Sequence, residues 1–259
     1  MLYPVFNHLG TFFFVFIRII SILMAVPFFG SRIVPMPIKM GLALMLGVII
    51  APILGITVAI PDTLAGLIIA AAREVIMGAA IGFIVRLVFS AFEMAGQVAG
   101  MQMGYAVANV IDPHNNSQIS VLSQVYNIMG ILLFFSLNVH IVFISAIKES
   151  FEIVPPYGFT ITKGMMHGFL GMTWEMFRIA VKLAAPITVS ILITNIAMGV
   201  MSRTVPQLNV FILGFPVTII LGLIVMLFSL PFIISIISNS YIDLSHNLID
   251  LLKMGGRGG

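Results

Sequence analysis

About six apolar stretches, each close to the length of a membrane-crossing helix, constrain this chain more than any other feature of its sequence. They cover Phe12–Phe29, Met40–Ile60, Leu64–Phe92, Val121–Ile147, Ile179–Val200 and Leu208–Ile237. Because 60% of the 259 residues are hydrophobic and only 8% are charged, the composition excludes an ordinary soluble domain. We therefore predict an all-α integral membrane protein of packed helical hairpins, or the interior of a membrane-linked assembly.

The longest polar connection suggests how the chain is organised. It runs from Lys148 to Glu175 and contains the turn-forming sequence Pro155-Pro156-Tyr157-Gly158. We predict one functional unit with two helical parts, residues 1–154 and 155–259. The second part should end in an amphipathic tail, whose apolar face comprises Tyr241, Leu244, Leu248 and Leu251. The basic residues of the connections are too evenly divided to predict an orientation in the membrane.

A polar, irregular segment interrupts the apolar pattern near the middle of the chain. Asp112-Pro113, followed by His114-Asn115-Asn116-Ser117, is typical of a turn. Irregular backbone cannot face lipid, so it lies outside the membrane, inside protein or along a water-filled path. We predict a plug-like loop at about residues 105–118, called the central segment below, with an exposed connecting loop as the alternative. The predicted plug residues are Tyr105, Val107, Asn109, Val110, Ile111, Asp112, Pro113, His114, Asn115 and Asn116.

The third stretch carries a row of small residues on one helical face. At about 100° per residue on a continuous helix, every glycine from residue 78 to residue 104 falls on this face. The row, called the glycine row below, comprises Gly78, Gly82, Arg86, Glu93, Gly96, Gly100 and Gly104. It predicts close packing, either within the chain or against neighbouring subunits. In the second case Arg86 and Glu93 would find partners there, because isolated charges are costly in lipid.

The fourth stretch carries a polar row at helical spacing. The row comprises Ser120, Gln124, Asn127, Asn138, Ser145, Glu149 and Glu152. It predicts either hydrogen bonds between helices or the lining of a conduit that continues from the central segment.

The sequence lacks the motifs of common enzymes. None of its five histidines stands in a metal-binding spacing, and it contains no cysteine. Arg73 and Glu74 are adjacent and diverge around a helix, which favours mutual or interfacial neutralisation over an acid–base couple. An intramembrane enzyme would need a nucleophile and a base, which we do not find. We predict no catalytic residue, no metal, no cofactor and no nucleic-acid binding.

The junction between the last two stretches carries the most specific motif. Pro206 should end one helix, Asn209 can cap the next, and Gly214 with Pro216 can kink it. At this junction the sequence resembles the FliR family of flagellar export-apparatus proteins, related to the SctT subunits of virulence type III secretion systems. The matching residues are Arg203, Pro206, Gln207, Asn209, Val210, Phe211, Gly214 and Pro216. Further matches are Arg73-Glu74, Gly78, Gly82-Phe83, Ala95-Gly96-Gln97, Gln102-Met103-Gly104, Asp112-Pro113 and Leu137-Asn138-x-His140.

The resemblance implies a structural, channel-forming subunit of a flagellar export gate in the bacterial inner membrane, at the flagellar basal body. It implies assembly with FliP and FliQ, further contacts with FlhB and FlhA, surrounding membrane lipid, and unfolded flagellar proteins as cargo. The central segment would help to plug the closed channel, and the junction from Arg203 to Pro216 would be a structural turn. The alternatives are a virulence type III gate subunit and a small secondary transporter, with a relay formed by Arg18, Arg86, Glu93 and Lys182.

Overall fold

The structure, a computed structural model, describes residues 3–31, 34–105, 120–204 and 210–256. In these ranges the chain forms eight α-helices and no β-strand, which confirms the predicted all-α class. The helices are α1 (Tyr3–Ala25), α2 (Pro27–Gly30), α3 (Met36–Ile53), α4 (Leu64–Met103), α5 (Val121–Ser136), α6 (Val139–Ile153), α7 (Lys163–Thr204) and α8 (Val210–Gly256).

Among the described residues, four helices, or five with one bent pair, have the length and composition of a membrane span, compared with about six predicted apolar stretches. Helices α3, α4, α7 and the Leu213–Gly256 part of α8 qualify, and α5 with α6 makes a fifth if the bent pair is one span. The first predicted stretch lies on α1 (Tyr3–Ala25), of which the part Leu9–Ala25 is apolar but shorter than a span. It is interrupted because Val26, which precedes Pro27, takes an extended conformation.

The fourth predicted stretch is not one straight helix. Helices α5 and α6 are bent by 73° at Leu137 and Asn138. Asn138 has a φ of 56°, in the left-handed region that asparagine tolerates better than most residues. The expected polar row from Ser120 to Glu152 therefore does not run along a single helical face. Its first members lie on or next to α5, and its last members lie on α6.

Packing divides the chain into two compact units, each assembled from separate stretches. Unit 1 comprises Met1–Val88, Asn138–Thr173 and Ile242–Gly259, and unit 2 comprises Phe89–Leu137 and Trp174–Tyr241. Helices α4, α7 and α8 each contribute residues to both units. These packing units do not follow the predicted division near residue 155, which stays a prediction about functional organisation.

A fully buried arginine and glutamate lie at the centre of unit 1. Arg18 on α1 donates from Nε to Glu74 Oε2 at 2.6 Å and from Nη2 to Glu74 Oε1 at 3.2 Å. Its Nη1 donates to the carbonyl oxygens of Ser150, at 2.8 Å, and Val154, at 3.0 Å. The guanidinium also lies 4.0 Å from the centre of the Phe151 ring. One side chain thus joins α1, α4 and the end of α6.

Unit 2 packs around four aromatic rings. Phe89, Phe92, Phe134 and Tyr241 have ring centres 5.7 to 6.3 Å apart, mostly at steep angles that favour aromatic contacts. The Tyr241 hydroxyl donates to the carbonyl oxygen of Gly130 at 2.6 Å. Glycine is required at position 130 because a Cβ there would lie 2.7 Å from the Phe92 ring. These contacts fix α5 and α8 against α4 within unit 2.

The four residues of the predicted apolar face of the tail are buried on one helix. Tyr241, Leu244, Leu248 and Leu251 lie on α8 and are at most 3% exposed. In unit 1 the end of α8 is held by a hydrogen bond from the Thr162 hydroxyl to the carbonyl oxygen of Met254 at 3.1 Å. The tail therefore completes the packing of unit 1.

We expect Arg18→Leu to lower the free energy of unfolding by about 3–5 kcal/mol, because it leaves the Glu74 carboxylate buried without its partner. Thermal unfolding of the full chain in detergent measures this loss. The double variant Arg18→Leu with Glu74→Leu should lose less, since no buried charge remains unpaired. Arg178→Ala, which removes an arginine from a partly exposed pair with Glu175, is the control and should cost at most about 1 kcal/mol. Equal losses in Arg18→Leu and Arg178→Ala would contradict the central role of Arg18.

Candidate functional site

The two ends of the central segment are held at one place in unit 2. Helix α4 ends at Met103, and Ser120 directly precedes α5. A Cβ built on Gly100 would overlap the Ser120 hydroxyl, and one built on Gly96 would overlap the backbone of Ser123. The Ser123 hydroxyl donates to the carbonyl oxygen of Glu93 at 2.9 Å. Helices α4 and α5 are therefore in close contact where the segment leaves and returns.

Helix α8 supports the start of the central segment. The Thr218 hydroxyl lies 3.0 Å from the carbonyl oxygen of Met103, the last residue of α4. Gly104 has a φ of +91°, which favours glycine, and a Cβ there would lie 2.7 Å from the Phe215 ring. A Cβ at Gly222 would lie 2.6 Å from the Met103 side chain. The chain thus leaves α4 through a turn that only glycine fits, against α8.

Most predicted plug residues lie outside the described part of the chain. Tyr105 is described and half-buried. The other residues, which lie outside the described ranges, are Val107, Asn109, Val110, Ile111, Asp112, Pro113, His114, Asn115 and Asn116. Their role as a plug stays a prediction. The structure describes only the contacts that hold the two ends of the segment, called the anchor below: those of Gly100 with Ser120, and those of Thr218 and Phe215 with the end of α4.

Six of the seven members of the glycine row, from Gly78 to Gly100, lie on one continuous helix, because α4 runs from Leu64 to Met103. Gly104 lies beyond the end of that helix, in the turn with a φ of +91°. In unit 1, a Cβ on Gly78 would lie 2.6 Å from the carbonyl oxygen of Arg18, and one on Gly82 would overlap Ala25. The remaining glycines of the row meet α5 and α8, as described above. All five glycines thus have close neighbours in their own chain, and docking of other subunits on this row stays a prediction.

The two charged members of the glycine row are not enclosed by neighbouring helices as its glycines are. Arg86 is exposed and Glu93 is half-buried. Within the described ranges neither side chain makes an ion pair or a hydrogen bond. Since an unpaired charge is costly in an apolar environment, both side chains require water or polar groups from beyond the described residues.

The relay proposed for a secondary transporter finds little support in these positions. The Arg18 guanidinium is bound to a buried carboxylate and two carbonyl oxygens, so it acts as a structural group. Lys182 is exposed on α7, and in the described ranges it forms no ion pair. No cluster of His, Asp or Glu among the described residues could hold a metal ion.

The predicted structural turn falls between α7, which ends at Thr204, and α8, which begins at Val210. Pro206, Gln207 and Asn209 lie outside the described residues, so the helix stop and the cap stay predictions. Arg203 is exposed at the end of α7. Phe211, Gly214 and Pro216 all belong to α8, whose helix continues through the proline.

Sequence reasoning missed the contact of Thr218 and Phe215 with the end of α4. The only signal was Thr218, the one hydroxyl residue in the apolar stretch of α8 from Val210 to Phe228, and such hydroxyls usually bond to a carbonyl of the preceding turn. Thr218 also does this, with the carbonyl oxygen of Gly214 at 3.0 Å. Sequence alone gives no sign of the additional contact with Met103.

Two buried oxygens of the polar row lack a partner in the described part of the chain. They are Ser120 Oγ and Asn127 Oδ1. A buried polar atom without a hydrogen bond costs about 1–3 kcal/mol, so both atoms call for a partner that the described residues do not provide. Both belong to unit 2, close to the anchor of the central segment in sequence.

Comparison with known proteins identifies relatives along nearly the whole chain. The family described as bacterial export proteins, family 1, matches residues 9–243. Flagellar biosynthetic protein FliR of Aquifex aeolicus is 33% identical over 228 residues, which is 88% of each chain. The proteins of the same description from Bacillus subtilis and Escherichia coli are 31% and 29% identical, and each match covers at least 93% of both chains.

We expect Gly96→Leu to lower the free energy of unfolding by about 1–3 kcal/mol, because its side chain would overlap the backbone of Ser123 on α5. The melting temperature Tm of the full chain in detergent provides the measurement. Gly199→Leu, at a helical glycine of unit 2 with open space around its Cβ position, is the matched control and should not be destabilising. A Gly96→Leu protein as stable as the Gly199→Leu protein would show that α4 and α5 are not in close contact.

Proposed function

This chain belongs to the bacterial export proteins, family 1, and from that membership we propose that it is a structural, channel-forming subunit of the flagellar type III export gate. The observation that carries the proposal is its similarity, over 88% or more of its length, to several proteins named FliR. These relatives indicate a component of flagellar protein export, and the four or five apolar helices indicate a multi-pass membrane protein.

The anchor of the central segment supports a plugging role. Its start is held by Thr218 and Phe215 on α8, and its return by the contact of Ser120 with Gly100. A loop fixed at both ends on packed helices can change its conformation without disturbing those helices. Its apolar residues, with Val110 and Ile111 at the centre, have the bulk to seal a narrow path for unfolded flagellar proteins.

Assembly with other subunits would account for side chains and surfaces that the described residues leave without partners. Arg86, Glu93 and the Asn127 amide oxygen need polar partners. The most apolar windows of α7 and α8 are only 22% and 17% buried. FliP and FliQ would supply the first neighbours in the gate, and FlhB and FlhA would be further partners. The complex would lie in the bacterial inner membrane, in the flagellar basal body, with lipid around it.

The proposal describes a subunit without enzymatic activity, cofactor or metal. A gate subunit of a virulence type III system is the nearest alternative, but the relatives reported above are named for flagellar biosynthesis. A secondary transporter would need Arg18 as a mobile charge, whereas Arg18 is bonded to Glu74.

Deletion of residues 108–116 should leave an assembled complex that conducts ions and small solutes, because the deleted residues fill a path and do not hold helices together. The complex of the variant with FliP and FliQ is purified and its conductance is measured in a planar bilayer. Replacement of the same residues by nine alternating glycines and serines is the matched control for loop length, and it should leak as well. Assembled variants with unchanged conductance would return the segment to an exposed connecting loop.

Arg86→Gln should weaken the association with the gate partners about tenfold, because it removes a charge that finds no partner in the described residues of its own chain. The measurement is the amount of FliP and FliQ that co-purifies with the variant at matched expression. Arg178→Gln removes an arginine that is paired with Glu175, and it should leave co-purification unchanged. Full co-purification with Arg86→Gln would place this arginine in water instead of an interface.

A further inference from the structure

Unit 1 contains a small pocket that joins an apolar lining to an arginine. Its volume is about 210 Å³, and it is lined by Pro61, Gly66, Ile69, Ala70, Arg73 and Tyr157. The lining comes from the first turns of α4, from the residues before that helix and from the loop after α6. None of the roles discussed above uses this pocket.

Arg73 carries an uncompensated positive charge at the pocket. Its Nη1 donates to the carbonyl oxygen of Tyr157 at 2.8 Å, and the side chain is exposed. The adjacent carboxylate of Glu74 is not available to it, because that group is buried and paired with Arg18. No acidic side chain pairs with Arg73 in the described ranges. The guanidinium therefore keeps N–H donors for an anion.

Tyr157 holds this arginine in place from an unusual backbone conformation. Its φ of 70° is uncommon for a residue with a side chain and costs about 1–3 kcal/mol. The cost is offset by a hydrogen bond from its hydroxyl to the carbonyl oxygen of Ala59 at 2.5 Å and by an edge contact with Phe14 at 5.0 Å. Burial, together with the nearby Glu74 carboxylate, raises the pKa of the Tyr157 hydroxyl. The pocket is thus built before any ligand arrives.

The surroundings of the pocket favour an anionic lipid as the occupant. Leu64, Ile68 and Ile69 on α4 are 75%, 59% and 56% exposed, and α4 is one of the helices apolar enough to cross a membrane. A guanidinium beside an exposed apolar surface matches a molecule with a phosphate at one end and hydrocarbon at the other. The pocket is too small for a helix of another protein, but it suits a single headgroup.

We propose that this pocket binds an anionic phospholipid, with its phosphate on Arg73 and its acyl chains along the exposed apolar side of α4. The phosphate oxygens accept hydrogen bonds from the guanidinium, and the apolar lining contacts the glycerol region of the lipid. The site goes beyond the export role, because none of the residues that line it carries that proposal.

Native mass spectrometry of the full chain in detergent tests the lipid. The protein is titrated with phosphatidylglycerol, which is anionic, and separately with phosphatidylcholine, which is zwitterionic. We expect tighter binding of phosphatidylglycerol. Millimolar inorganic phosphate is then added to the phosphatidylglycerol complex and should not displace the lipid, because it lacks the apolar contacts. Equal binding of both lipids, or displacement by inorganic phosphate, would overturn the assignment to an anionic lipid.

Two variants tie the binding to the pocket. Arg73→Gln should weaken phosphatidylglycerol binding about tenfold, because it removes the charge-assisted hydrogen bonds. Ile69→Glu places a carboxylate four residues before Arg73, where it can pair with the guanidinium and exclude the phosphate. It should weaken binding similarly while keeping the bond from Arg73 to Tyr157. Both proteins are first shown to retain the Tm of the unchanged protein.

Arg178→Gln is the matched control, because it removes one arginine outside the pocket and should not alter lipid binding. Unchanged phosphatidylglycerol binding in the folded Ile69→Glu protein would overturn the proposal, even if Arg73→Gln failed to fold. Loss of a co-purifying protein from Arg73→Gln, with lipid binding intact, would also overturn it. That result would assign the guanidinium to a carboxylate of a partner.

Discussion

The buried ion pair of Arg18 and Glu74 is the interaction on which the packing of unit 1 depends. Two charges removed from water are stable only when nearly all their hydrogen-bonding capacity is used, and here the guanidinium also reaches carbonyl oxygens at the end of α6. The Val154 carbonyl follows the last turn of α6, where carbonyls lack partners within the helix, whereas the Ser150 carbonyl also accepts the Val154 amide at 3.1 Å. The glycines at 78 and 82 let α1 approach α4 closely enough for the pair to form.

Features set by local periodicity could be predicted from the sequence. The all-α class and the continuity of α4 from Gly78 to Gly100 follow from the spacing of residues within one helix. The pairing of Arg18 with Glu74 could not be predicted, because 56 residues separate them and only tertiary packing brings them together. The bend at Asn138 was missed because this asparagine also fits the helical spacing of the polar row, so its left-handed conformation is not evident from the sequence.

At the candidate site, too, local spacing could be predicted from the sequence, whereas the packing partners could not. Glycine spacing predicts that something approaches α4 closely, but it does not tell which helix approaches, and the structure assigns α1, α5 and α8 to different parts of one row. The predicted turn near Pro206 and the predicted central segment seemed separate in the sequence. They are linked because Phe215, just beyond the turn, packs on Gly104 at the start of the segment. A change of the turn would thus reach the anchor through α8.

The interleaving of the two units affects the order in which the chain can fold during synthesis. Unit 1 takes its final contribution from Ile242–Gly259, which follows every residue of unit 2 in the chain. The bonds of Thr162 and of the Thr160 amide to the end of α8 can form only after the ribosome has made both units. The packing of unit 1 is therefore completed only after all of unit 2 has been translated, so its earlier apolar helices stay incompletely packed until the last turns of α8 are made.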